Sequence, residues 1–125
     1  MYSDRDWTKA VSKLIRLTIE KSISWDFLYG NEIDDGRRLE RSFVAHHEGK
    51  TYVVRSFERR HYTDEDEFYW RTYFDLEIWN GDAFNKLQLQ VATSPELSVV
   101  GSLFSTVEGQ FAKDQNALGF LLSDD

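Results

Sequence analysis

Three histidines and a run of acids are the first residues to weigh for chemistry. His46 and His47 are adjacent, and His61 is followed by Asp64, Glu65, Asp66 and Glu67. These are metal-ligating types. Their spacing argues against a shared ion, because neighbouring side chains of an extended segment point to opposite faces. With a turn at Glu48-Gly49, His61 falls far along the following strand from both. The segment Asn31-Glu32-Ile33-Asp34-Asp35-Gly36 has the look of a calcium loop, but Ile33 occupies the third ligand position and Ser42 stands where a bidentate Glu is needed. We expect no metal and no cofactor.

Covalent catalysis is equally short of parts. Nucleophilic chemistry needs a positioned base beside an activated nucleophile. No serine lies in a G-x-S-x-G turn, and the chain has no cysteine. Thiolate nucleophiles, disulfides and thiolate zinc sites are excluded by that alone. The glycines are scattered and form no phosphate-cradling loop. Paired carboxylates leave no signature in one dimension. The expectation is a protein that is not an enzyme.

The composition agrees with a binding role. The chain has 125 residues, 41% hydrophobic and 30% charged, the balance of one globular domain spanning 1–125. Its net charge is −7, which opposes non-specific binding to duplex DNA and suits docking on a basic partner. Aromatics reach 15%, enough to supply both a core and an interface. The absence of cysteine, of a signal segment and of any apolar run near ~20 residues points to a cytoplasmic address without a membrane span.

The elements that must position such a surface are legible from periodicity. Ser3 and Asp6 read as a capping box with Asp in place of Glu. Trp7, Ala10, Val11, Leu14, Ile15 and Thr18 then recur at helical spacing, predicting a helix over about 4–21. Ile23, Trp25, Phe27 and Tyr29 alternate as a short extended segment. Leu39, Phe43 and Ala45 share one face of a first strand. Tyr52 and Val54 continue in a second strand reaching to His61. Phe68, Trp70, Phe74, Leu76 and Ile78 alternate in a third, and Leu87, Leu89 and Val91 in a fourth. Asn80-Gly81 has the residue preference of a two-residue type I′ turn. Ser94-Pro95 has the form of a helix start, with Leu97, Val100, Leu103, Phe104, Val107 and Phe111 as the buried stripe. The apolar tail residues Leu118, Phe120, Leu121 and Leu122 are expected to dock on the body, with a partner as the other possibility. The expected fold is α+β: an N-terminal helix, a four-stranded antiparallel meander and a C-terminal helix, with both helices on one face.

Trp7, Leu14, Ile15, Thr18, Ile23 and Trp25 give this segment a resemblance to small uncharacterised proteins of bacteria and their phages. Those proteins carry an amphipathic helix leading into a T-x-x-G-x-I-x-W signature, then a strand meander and a Leu-rich C-terminal helix. Lys21 stands here at the glycine position. The resemblance implies that Trp25 folds back onto the helix and that Thr18 sits in its last turn. It also implies a context, bacterial or phage conflict, in which such proteins serve as inhibitors or immunity factors.

Strand parity then isolates a surface. If Val54, Phe74 and Leu76 face the core, Arg55, Phe57, Arg59 and His61 face away from it, as do Tyr69, Arg71, Tyr73, Asp75, Glu77 and Trp79. Aromatics mixed with arginines are the composition of protein interfaces and also of single-stranded nucleic-acid platforms. The expected partner-binding residues are Arg55, Phe57, Arg59, Tyr69, Arg71, Tyr73 and Trp79. The expected function is masking of a partner protein, with single-stranded nucleic acid as the alternative ligand. Parity carries one condition: a four-residue turn at Thr63–Asp66 would pair even positions with odd ones, so a longer loop or a bulge is required.

Overall fold

The computed structural model describes residues 2–28, 37–80, 88–93 and 98–123, with backbone alone for 37–40 and 88–93. Helix α1 (Asp4–Ile19) starts at the expected capping box: Ser3 Oγ accepts the Asp6 N–H and Asp6 Oδ2 accepts the Ser3 N–H, both at 3.1 Å. Val11, Leu14 and Thr18 are buried, and Trp7, Ile15 and Leu17 pack against the same core. Ala10, expected in the stripe, is exposed, because the buried face is narrower than the sequence stripe. The helix ends at Ile19, two residues before the expected boundary. Lys21 N–H donates to Thr18 O at 3.1 Å and Ser22 N–H to Leu17 O at 2.9 Å, a Schellman closure. The residue at its left-handed position is Lys21, at φ 62°.

The extended segment after α1 forms a two-residue edge strand, β1 (Asp26–Phe27). The four long strands follow as an antiparallel meander: β2 (Arg37–His47), β3 (Lys50–Tyr62), β4 (Phe68–Asn80) and β5 (Gln88–Thr93), in the order β1-β2-β3-β4-β5. Helix α2 (Ser98–Asp114) closes the expected α+β arrangement.

Two turns decide the register. At the β2–β3 junction His47 pairs with Lys50, and both residues between them have positive φ, Glu48 at 49° and Gly49 at 76°. That is the backbone a type I′ turn requires. At the β4–β5 junction the register overturns the two-residue turn expected at Asn80-Gly81. Asn80 is still in β4, paired with Lys50, and the next ladder step pairs Trp79 with Gln88, so residues 80–87 intervene where a two-residue turn would pair Trp79 with Asp82. Residues 29–36, with the calcium-like loop, lie outside the described residues, as do Gly81, Leu87 and the Ser94–Leu97 helix start.

The β3–β4 connection supplies the missing parity. Tyr62 pairs with Phe68, leaving the five residues Thr63–Glu67 as the loop. Odd positions therefore face odd positions along the whole hairpin. The sheet does contain a register shift at Ile78/Trp79 against β5, and a bulge in β2, between Leu39 and Arg41. The bulge sets Leu39 in register with Phe57, while Phe43 and Ala45 pair with Val54 and Tyr52.

On the helix side of the sheet, Phe43, Ala45, Val54 and Leu76 are buried beneath Val100, Leu103, Phe104 and Val107. Phe104 contacts the rings of Phe43 and Phe74 at 5.7 and 5.2 Å between centroids. Each such fully buried side chain contributes roughly 1.5–3 kcal/mol. A Cβ on Gly101 would stand 3.1 Å from the Phe74 ring, so a glycine lets α2 approach this closely.

The tail differs from expectation. Its residues run in turns from Gln115 to Leu122, and Leu118, Phe120, Leu121 and Leu122 are all exposed rather than docked on the body. No described helix is long and apolar enough to cross a membrane.

Candidate binding face

Strands β3 and β4 are each 13 residues long and outrun the helical layer. Their proximal halves are buried on both sides, and beyond Arg59, which still pairs with Arg37 of β2, they continue as a two-stranded ribbon. This difference in cover sorts the expected binding residues.

Three of them belong to the covered half. Phe57 is only 4% exposed and lies under Tyr73, with the rings stacked 5.7 Å apart at 17°. It supports the face and is not on it, a correction to the expected set. The cause is that the sheet is buried at its centre on the side away from the helices too: Thr51 and Val53 are 0% exposed. Arg55 pairs with the buried carboxylate of Glu77, which also accepts the Trp79 indole N–H at 3.1 Å. Arg55, Glu77 and Trp79 form a half-buried polar network. Asp75, in register with Arg55, is buried with one carboxylate oxygen lacking a hydrogen-bond partner.

The remaining four residues come together on the protruding half. Arg59 and Arg71 are directly opposite each other across the strands. Their guanidinium carbons stand 5.8 and 5.5 Å from the centroid of the same ring, Tyr73. Like charges placed opposite each other destabilise a sheet, and the shared cation–π contact offsets part of that repulsion. Among the described residues neither arginine has a carboxylate partner. One step further out, His61 and Tyr69 pair with ring centroids 5.0 Å apart. Tyr69 is 48% exposed.

The other side of the ribbon holds residues that parity assigned to the core. Arg60 lies over both Phe68 and Trp70, at 5.1 and 5.4 Å. Tyr62 packs on Phe68 at 5.5 Å, yet these two are 56% and 43% exposed. They have the parity of core residues but lie beyond the reach of the helices. The signal was in the sequence: a strand running to His61 has more length than two helices of ordinary size cover.

The acids expected to form a solvated turn do so. Thr63 N–H donates to Glu67 O at 2.9 Å, closing the loop, and Asp64 Oδ1 accepts the Glu65 N–H. His46 faces Thr51, with 2.9 Å between Nδ1 and Oγ1. Among the described residues no cluster of three or more His, Asp or Glu has the geometry for a metal.

The ribbon is thus an Arg/aromatic stem tipped by Asp64, Glu65, Asp66 and Glu67. It offers flat rings, fixed cations and few flexible groups, which suits association. Comparison of the chain with family models, curated proteins and solved structures finds no match.

Proposed function

We propose that this protein is a non-enzymatic macromolecule-binding protein that masks a partner protein with the distal half of its β3–β4 hairpin. The observation that carries the reading is the pair of exposed arginines, Arg59 and Arg71, gathered on the half-buried Tyr73 ring without a carboxylate among the described residues. Arginine and tyrosine concentrate binding energy at protein interfaces. Carboxylate or carbonyl groups of a partner would relieve the repulsion between the two arginines. The resemblance of the N-terminal segment to small bacterial and phage proteins supports the specific version, an inhibitor or immunity factor in phage–bacterium conflict. The same rings and cations could stack a single-stranded nucleic acid, but the four acids at the tip and the net charge of −7 oppose a polyanion.

The test compares wild type with Arg59→Ala/Arg71→Ala as baits in bacterial lysate, after matched thermal unfolding shows both are folded. A protein retained by wild type and lost by the variant supports the reading. Identical capture by both contradicts it. Oligonucleotide binding that falls steeply with salt and vanishes in the variant would transfer the face to nucleic acid.

A further inference from the structure

A groove of about 900 Å³ runs beside α1. Among the described residues its apolar floor is formed by Trp7, Ala10 and Ile78, and its rim by Lys9, Lys13 and Arg16. Those three cations follow the i, i+4, i+7 spacing of one helix face and span about 10 Å along the axis. The carboxylate of Asp6, which also lines the groove, is occupied by the Ser3 N–H. Arg16 has only a loose partner in Glu20, at 4.0 Å with both side chains mostly exposed. An apolar floor with a cationic rim, in a chain of net charge −7, fits an occupant that is apolar and acidic.

The chain itself carries such a segment. Leu118, Phe120, Leu121 and Leu122 are followed in sequence by Ser123, Asp124 and Asp125. The tail is not a loose end. Ala117 N–H donates to Ala112 O at 3.0 Å, closing α2 through Asn116 at φ 55°, and Leu122 N–H donates to Leu118 O at 2.9 Å. These bonds hold the tail in turns that present its side chains outward, with Phe120 86% exposed. Four exposed apolar residues call for a cover, and among the described residues they have none.

We propose that the α1 groove of one copy receives the Leu118–Leu122 tail of a second copy. The apolar side chains fill the floor over Trp7 and Ile78, and the acids that follow them meet Lys9, Lys13 and Arg16. Reciprocal exchange buries both tails and both grooves and closes as a two-fold dimer. Only Ile78 at the proximal end of β4 belongs to this contact, and the distal ribbon with Arg59, Arg71 and Tyr69 lies outside it, so the proposal stands or falls independently of the binding reading above.

Sedimentation of the full chain across the micromolar range tests it. The variants are Phe120→Asp/Leu121→Asp on the tail and Lys9→Glu/Lys13→Glu on the rim, all at exposed positions that leave the core intact. Wild type should self-associate, and each double variant should raise the concentration for half-association by about tenfold or more. A mixture of the two double variants should recover part of the association, because it retains one intact groove with one intact tail. A chain that stays monomeric up to its solubility limit overturns the proposal, as does association untouched by either variant.

Discussion

The indole Nε1 of Trp25 donates a 2.9 Å hydrogen bond to Thr18 Oγ1, and that hydroxyl donates in turn to Leu14 O at 2.7 Å. All of this is buried, with Thr18 0% exposed. The relay joins the last turn of α1 to the chain entering β1. A threonine mid-helix ordinarily loses a little by bonding back to the preceding turn. Here the same hydroxyl gives a buried indole N–H the partner it needs.

Removing the ring should therefore cost more than any surface change. Trp25→Ala is expected to lose ~3–5 kcal/mol, as for other large-to-small core substitutions. Thr18→Val keeps the shape but leaves the indole N–H unpaired, at a cost of ~1–3 kcal/mol. Combining Thr18→Val with Trp25→Phe should cost less than the sum of the two. Urea denaturation of the four proteins measures this, and strict additivity would show that the bond contributes nothing.

Lys21 offers a gain instead. Its φ of 62° lies in the left-handed region, which costs a non-glycine residue roughly 1–2 kcal/mol. Lys21→Gly removes that cost and loses part of it to backbone entropy. The expected net stabilisation is about 0.5–1 kcal/mol, read as a raised denaturation midpoint at unchanged slope. A lowered midpoint would place the Lys21 side chain in a contact that matters.

Much of the fold could be read from the sequence because side-chain period and cap chemistry are local. The parity of β3 and β4 held along 13 residue pairs since apolar residues on even positions admit one register. What was not legible depended on neighbours. Nothing in Phe57 itself distinguishes an exposed ring from one lying under Tyr73. Phe68 and Trp70 alternate like core residues, and only the end of the helical layer exposes them. Asn80-Gly81 has good turn residues, yet the β4–β5 register leaves eight residues between Trp79 and Gln88, and Asn80 stays in the ladder, its Oδ1 accepting from Lys50 Nζ at 3.3 Å. The tail differs because apolar content alone does not place a segment on the body: Leu118, Phe120, Leu121 and Leu122 stay exposed.

Alkaline pH should expose the half-buried Tyr52. Burial, and secondarily the charge of Glu48, hold its phenol above the ordinary value of 10.0. The folded state therefore keeps a proton that the unfolded state releases. The associated stability is fully present below pH 10 and is lost as pH rises from there through the folded value. Tyr52→Phe should lose less stability than wild type between pH 9 and 11, measured as urea midpoints across that range. Parallel curves would contradict the assignment.

The facing arginines predict a separation of stability from function. Arg71→Glu places opposite charges across from each other and should leave the fold unchanged or firmer by ~0.2–1 kcal/mol. The same variant should lose partner capture. A destabilised Arg71→Glu protein would mean that the Arg71–Tyr73 contact outweighs the repulsion between the arginines.

Contact at the ribbon is the central claim, and photo-crosslinking reads it most directly. A benzoyl-phenylalanine probe replaces Tyr69, whose exposure leaves room for the larger side chain, and the same probe at exposed Ser105 on α2 serves as the comparison. Irradiation in bacterial lysate should give a discrete adduct with a foreign protein from position 69, abolished by Arg59→Ala/Arg71→Ala, and none from position 105. Adducts from position 105 with none from position 69 would show that the partner meets the helical layer and that the ribbon is not the binding face.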